Sequence, residues 1–134
     1  KNYRLGKVLY MAPEQRKGQP VDARADLYST GILLTEMLLG DVFHQEANMF
    51  LAGMNPLWEK LEARLSAPLG PAVAQLVERA LAEDPERRFQ SAAEMLSSID
   101  EMLVEYAPGS SVDRVSRLVQ PAFPLSAVLS TLRT

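Results

Sequence analysis

Few side chains in this sequence are equipped for chemistry. There is no cysteine, so neither a disulfide framework nor a thiolate metal site is expected. His44 is the only histidine, which excludes paired-histidine zinc motifs and reads as a surface loop residue. No metal site is predicted. One carboxylate has an unusual setting. Asp26 begins the run DARADLYSTGILLTEMLLG, residues 22–40, in which Leu27, Ile32, Leu33, Leu34, Met37, Leu38 and Leu39 fall on nearly every side of a helical wheel. A helix apolar all round is buried on all sides, so this run is expected to be the hub of a helical domain. A carboxylate carried into such a hub needs partners. Alone in the first turn, it is still favoured by the helix dipole.

The hub is too short to span a bilayer, which takes ~20 apolar residues, and Glu36 interrupts it. Asp22 can cap its start and Gly40 can end it in a left-handed conformation. The elements around it follow from composition and punctuation. The chain has 134 residues, 47% hydrophobic and 23% charged, which is one ordinary globular domain's worth. A net charge of -3 gives no reason to expect a nucleic acid or a membrane surface as partner. No signal peptide or transmembrane run is present, so a cytoplasmic setting is expected. The sequence opens at Lys1 in what reads like mid-domain sequence, as a fragment of a longer protein would.

Residues 1–10 show no amphipathic period and contain Gly6, so an extended loop is predicted there. Residues 11–17 predict a short helix with Pro13 in its first turn. Gly18-Gln19-Pro20 then breaks the chain. After the hub, residues 41–45 read as a loop, and Ala47, Phe50, Leu51 and Met54 follow at helical spacing until Asn55-Pro56. Leu57, Trp58, Leu61 and Leu65 make a second apolar stripe, and Pro68 and Pro71 bound the next break. Val73, Leu76, Val77, Ala80 and Leu81 predict an amphipathic helix, stopped by Asp84-Pro85. Ser91 and Glu94 form a capping box ahead of a last strong helix through Tyr106. No stretch sustains strand alternation, so the fold class is all-α.

Three segments at plausible separations carry more than periodicity: GKVLYMAPE at 6–14, DLYSTG at 26–31 and DPERRF at 84–89. Together they resemble the C-terminal lobe of a eukaryotic-like Ser/Thr protein kinase of the kind bacteria encode. The first is similar to the end of the activation segment with its Ala-Pro-Glu signature. The second resembles the start of the family's central helix, and the third the Asp-Pro-x-x-Arg segment before its last helix. Gln15 and the Gly6-Lys7 pair look like a bacterial branch. The resemblance implies a helical kinase C-lobe around one buried central helix over residues 1–106, without the N-lobe or the catalytic loop. Residues 107–134 would be a C-terminal extension or linker with short helices.

The resemblance also assigns roles. Glu14 and Arg88 would form a structural ion pair clamping the activation segment to the base of the lobe. Gly6, Lys7 and Tyr10 would line the acceptor-peptide loop, with Lys7 where many members have a threonine that contacts the catalytic aspartate. Asp26 would anchor the backbone of the catalytic loop. That loop is absent from the sequence, so Asp26 is expected to be solvent-bridged or re-partnered. Also absent are the Gly-x-Gly-x-x-Gly loop, the Val-Ala-Ile-Lys strand and the Asp-Phe-Gly metal site, which position ATP and magnesium. The chain alone is therefore expected to hold no catalytic residue and no cofactor, ATP and Mg belonging to the intact parent. Between Lys1 and Leu27 there is no Ser or Thr, so a Ser/Thr phosphorylation switch would lie upstream.

Two functional readings follow. In one, this is part of an active Ser/Thr kinase whose partners are a protein substrate and the remaining kinase portion. In the other, it is a pseudokinase-like helical interaction module that docks a protein through Phe50, Trp58 and Leu61. Apolar spacing at Val112, Val115, Leu118, Leu125, Val128 and Leu132 predicts that the tail, or self-association with a second copy, covers hydrophobic surface.

Overall fold

The computed structural model describes residues 3–54 and 56–108. Among these residues the chain is all helical: α1 Tyr3–Tyr10, α2 Pro13–Arg16, α3 Arg24–Leu39, α4 Asp41–Leu51, α5 Leu57–Arg64, α6 Leu69–Ala80, a 3-10 turn Pro85–Arg87 and α7 Ala92–Tyr106. One compact unit covers residues 1–100 and a second begins at Glu101, where α7 is still helical. In that second unit the Ala107 N–H closes the helix on the Leu103 carbonyl. The extension predicted over residues 107–134 lies outside the described residues beyond Pro108.

The hub is α3, against which α1, α4, α5 and α6 pack, while α5 and α6 pack on each other. Leu27, Tyr28, Ile32 and Leu39 of α3 are buried, as are Leu57 and Leu61 of α5 and Val73, Leu76, Val77 and Ala80 of α6. Each large apolar side chain taken fully from water is worth about 1.5–3 kcal/mol, so this inner shell is the main source of stability. Gly31 makes the α3–α6 approach feasible: a Cβ there would lie 2.9 Å from the Cβ of Ala80 and 3.1 Å from Leu81 Cδ2. The buried Thr35 hydroxyl is satisfied within the helix, donating to the Gly31 carbonyl at 2.7 Å.

Both ends of α3 are marked by local chemistry. Asp22 Oδ1 accepts the Arg24 backbone N–H at 2.9 Å. Gly40, at φ +57°, turns the chain while its N–H closes on the Glu36 carbonyl. Burial on all sides, however, is not observed. Leu33 and Met37 are 49% and 75% exposed, and with Asp26 and Thr30 they mark one exposed strip. Apolar residues all round a helix guarantee only that any face could be buried, and no described element covers this one.

Other expectations are corrected as well. Residues 3–10 are helix, not extended loop, and residues 41–45 are the first turns of α4. The residues of α1 do have an amphipathic helical pattern, and contacts with α3 hold it: Leu9 is buried, and the Ser29 hydroxyl donates to the Tyr10 carbonyl at 2.6 Å. Gly6 inside that helix costs about 1 kcal/mol, which such contacts outweigh. Pro71 lies in the first turn of α6, where its missing N–H has no intrahelical partner to lose.

Candidate functional site

Arg88 and Glu14 are 74 positions apart in sequence and meet in the interior. Glu14 is delivered by α2, which starts on Pro13 and is closed by the Gln15 side chain accepting the Ala12 N–H at 2.8 Å. Arg88 follows the 3-10 turn, whose first turn is capped by Asp84 Oδ1 accepting the Glu86 N–H at 3.0 Å. The guanidinium grips the carboxylate with both ends, Nη1 to Oε1 at 2.7 Å and Nη2 to Oε2 at 2.8 Å. Its remaining donors go to backbone carbonyls: Nε to Ala82 at 2.7 Å, Nη2 to Glu83 at 3.0 Å and Nη1 to Arg24 at 3.4 Å. All five N–H groups of the guanidinium are thereby engaged.

Arg88 is only 1% exposed and Glu14 6%, so this planar two-point pair works in a desolvated setting. The Tyr28 ring adds a cation–π contact, its centroid 5.1 Å from the guanidinium carbon. The hydrogen bond from Arg88 holds the Glu14 carboxyl below the usual glutamate range, against the opposing effect of burial. Burial pushes the Tyr28 phenol up. With every donor committed, the pair offers no proton to transfer. Its chemistry is that of a fastener joining α2, the start of α3 and the 82–88 segment.

Gly6, Lys7 and Tyr10 all fall on α1, and Gly6 and Lys7 are exposed. The reading of them as an extended loop is corrected by the helix, whose last residue is tied to the hub. The Tyr10 hydroxyl donates to Glu36 Oε2, and that bond, with burial second, pushes its pKa up to about 12. The other oxygen of Glu36 lies 3.4 Å from His44 Nε2, so the charged residue interrupting the apolar run faces both α1 and α4. His44 itself is on α4, not in a loop.

Asp26 is exposed at the start of α3, and its carboxylate has no hydrogen-bond or ion-pair partner among the described residues. Of the two settings expected for it, solvent-bridged or re-partnered, the exposed position is the solvated one. The Asp26 backbone is engaged at both groups: the N–H donates to the Ala23 carbonyl at 3.1 Å and the carbonyl accepts the Thr30 hydroxyl at 2.8 Å. Of the proposed docking residues, Leu61 is fully buried core, whereas Phe50 and Trp58 are half-buried and meet edge to face at 6.5 Å. Among the described residues, no cluster of His, Asp or Glu could hold a metal ion, and no helix is long and apolar enough to cross a membrane.

Residue-by-residue reading missed Ser29, Gly31 and Arg24. Ser29 and Gly31 lie inside the DLYSTG segment, where a hydroxyl and a glycine within an otherwise apolar helix were the available signal. Arg24 grips Asp22, Glu86 and the Gln90 side chain at once, with distances of 2.8–2.9 Å. Nothing local in the sequence announces that network, because Glu86 and Gln90 arrive from a distant turn.

Comparison with known proteins places this geometry. Residues 1–99 match the protein kinase domain model. The chain is 32% identical over 124 residues to serine/threonine-protein kinase PknB of Mycolicibacterium smegmatis, covering 87% of this chain and 20% of that protein. It is 39% identical over 101 residues to a probable serine/threonine-protein kinase of Streptomyces coelicolor, covering 74% and 15%. Against PknB of Mycobacterium tuberculosis it is 38% identical over 101 residues, covering 71% and 16%. The chain thus spans a fifth or less of the length of these curated relatives. It belongs to the protein kinase domain family, among serine/threonine kinases of the bacterial, eukaryotic-like kind.

Proposed function

We propose that this chain is C-terminal-lobe framework of a bacterial serine/threonine protein kinase and does not itself transfer phosphate. The observation that carries this reading is the buried Glu14–Arg88 pair, which unites the Ala-Pro-Glu and Asp-Pro-x-x-Arg segments with every guanidinium donor engaged. In the intact kinase the reaction is phosphoryl transfer from ATP, with magnesium, to a protein Ser or Thr. The residues that position the nucleotide and metal in this family have no counterpart in the sequence, so the chain contributes support, not charge stabilisation. Gly6 and Lys7, on the exposed side of α1, would face the acceptor, with Tyr10 fixing that segment to α3. Asp26 stands available to accept backbone N–H groups of a catalytic loop from the rest of the kinase. The partners are that remaining portion and a protein substrate, and the setting is the cytoplasm, where ATP is supplied.

The test is phosphate incorporation. The purified chain, incubated with magnesium and labelled ATP and a general protein acceptor, is expected to leave both itself and the acceptor unlabelled. Incorporation that grows with the amount of the chain and survives removal of contaminating kinases would overturn the proposal.

A further inference from the structure

A groove of about 1010 Å³ opens among α2, α4, α5, α6 and the 82–87 segment. That is large for a small-molecule site, and its lining combines two features suited to a peptide. One is the half-buried aromatic pair Phe50 and Trp58. The other is a set of cations from three separate places: Arg16 and Lys17 at the end of α2, Arg79 on α6 and Arg87 in the 3-10 turn.

The cations differ in what already neutralises them. Lys17 pairs with Glu83 at 2.7 Å, and Arg79 pairs with Glu94 while stacking 4.2 Å over the Phe89 ring. Arg16 and Arg87 are exposed and form no salt bridge among the described residues, although Arg16 lies near the Glu83 carboxylate and the Tyr28 hydroxyl. Of the acidic residues in the lining, Glu83 is taken by Lys17 and Asp84 caps the 3-10 turn, leaving Glu78. In a chain whose net charge is -3, the lining carries four cations against three carboxylates beside an aromatic pair, a local balance opposite in sign to that of the whole chain.

We propose that this groove binds an acidic peptide segment carrying one apolar anchor: the anchor sits against Phe50 and Trp58, and flanking carboxylates pair with Arg16 and Arg87. Planar guanidinium groups take carboxylates at two points, and Trp and Arg are the side chains that most often dominate an interface. The groove also reaches the fastener, since Pro13 and Tyr28 line it, the one adjoining Glu14 and the other lying over Arg88. Occupancy is then felt by the segment that holds α2 in place. The inference rests on the groove alone and stands whether or not the parent kinase is active.

Trp58 is the only tryptophan, so its emission reports the groove directly. The probe is a blocked heptapeptide of three glutamates, a phenylalanine and three glutamates, with a counterpart in which every glutamate is lysine. The acidic peptide is expected to change Trp58 emission saturably, with affinity that weakens as salt is added. The double variant Arg16→Ala/Arg87→Ala, whose fold is checked by circular dichroism, is expected to bind about tenfold or more weakly, the effect of losing about 1.4 kcal/mol. Leu33→Ala, on the exposed strip of α3, is expected to leave binding unchanged. The proposal is overturned by an absent or non-saturable response, by an equal response to the lysine peptide, or by undiminished binding in the double variant. A change in Trp58 emission on dilution of the chain alone would overturn it in favour of a second copy as the occupant.

Discussion

Replacing Glu14 with alanine isolates the strongest polar contact in the domain. The substitution removes the acceptor of two of the five guanidinium N–H groups and leaves the Arg88 charge, at 1% exposure, without its counter-ion. Breaking one side of a buried pair typically costs about 3–5 kcal/mol. Domains of this kind have roughly 5–15 kcal/mol in total, so about a fifth or more of the stability is at stake. At about 4 °C per kcal/mol for a domain of this size, Tm should fall by roughly 10–20 °C. Urea unfolding followed by circular dichroism and by Trp58 emission measures the change, with an unchanged m-value expected. Arg88→Met should cost a similar amount, through the stranded Glu14 and three carbonyls that lose a donor. The double variant Glu14→Leu/Arg88→Met should lose less than the sum of the singles, by about 1–3 kcal/mol of coupling. A loss below about 1 kcal/mol for Glu14→Ala, the size of an exposed pair, or strict additivity in the cycle, would refute the reasoning.

Acidification should act on the same pair. Because the folded pKa of Glu14 lies below its ordinary value of 4.5, its contribution is complete above that value and is lost as pH falls through the lowered one. The stability difference between the native chain and Glu14→Gln, measured by urea titration at several pH values, should therefore shrink on going below pH 4.5. Tyr10 runs the other way: with a pKa raised from 10.0 to about 12, its bond to Glu36 stabilises fully below pH 10.0 and is lost toward pH 12. Phenolate absorbance should show that delayed titration beside that of Tyr28, and Tyr10→Phe should remove one late-titrating phenol while costing about 1 kcal/mol. Gly31→Ala should destabilise by about 1–3 kcal/mol, since the 2.9 Å approach to Ala80 outweighs the better helix propensity of alanine. Asp26→Asn should change stability by no more than about 0.5 kcal/mol, as for a surface residue with no special contact. A larger loss in a melt would mean that the carboxylate has a partner.

What could be read in the sequence was whatever is encoded locally. The i, i+3, i+4 spacing of Val73, Leu76, Val77 and Ala80 is a property of one helix, and α6 forms over those residues. The Ser91–Glu94 signal also marked a real helix start: Ser91 Oγ accepts the Glu94 N–H at 3.1 Å. Its other half was displaced, since the Glu94 carboxylate takes the Gln90 N–H at 2.6 Å in place of that of Ser91. What stayed hidden depends on partners far away in the chain. α1 is amphipathic over its two turns, but it contains Gly6, and what holds it in place is Ser29 and Glu36 of α3. The apolar run of α3 carried no sign of which face would remain open, because that is decided by the arrangement of α1, α4, α5 and α6 around it. Asp26, expected to be solvent-bridged or re-partnered, lies on that open strip. The meeting of Glu14 with Arg88 came from the resemblance of short motifs, not from periodicity, and the carbonyls of Ala82, Glu83 and Arg24 that complete it were not foreseeable from either.

The claim that this chain is framework without a nucleotide site is most directly tested by isothermal calorimetry with ATP and magnesium on the folded 134-residue chain. Heats indistinguishable from dilution are predicted, with no shift of Tm when the nucleotide is present. Saturable, magnesium-dependent binding in the micromolar range would contradict it.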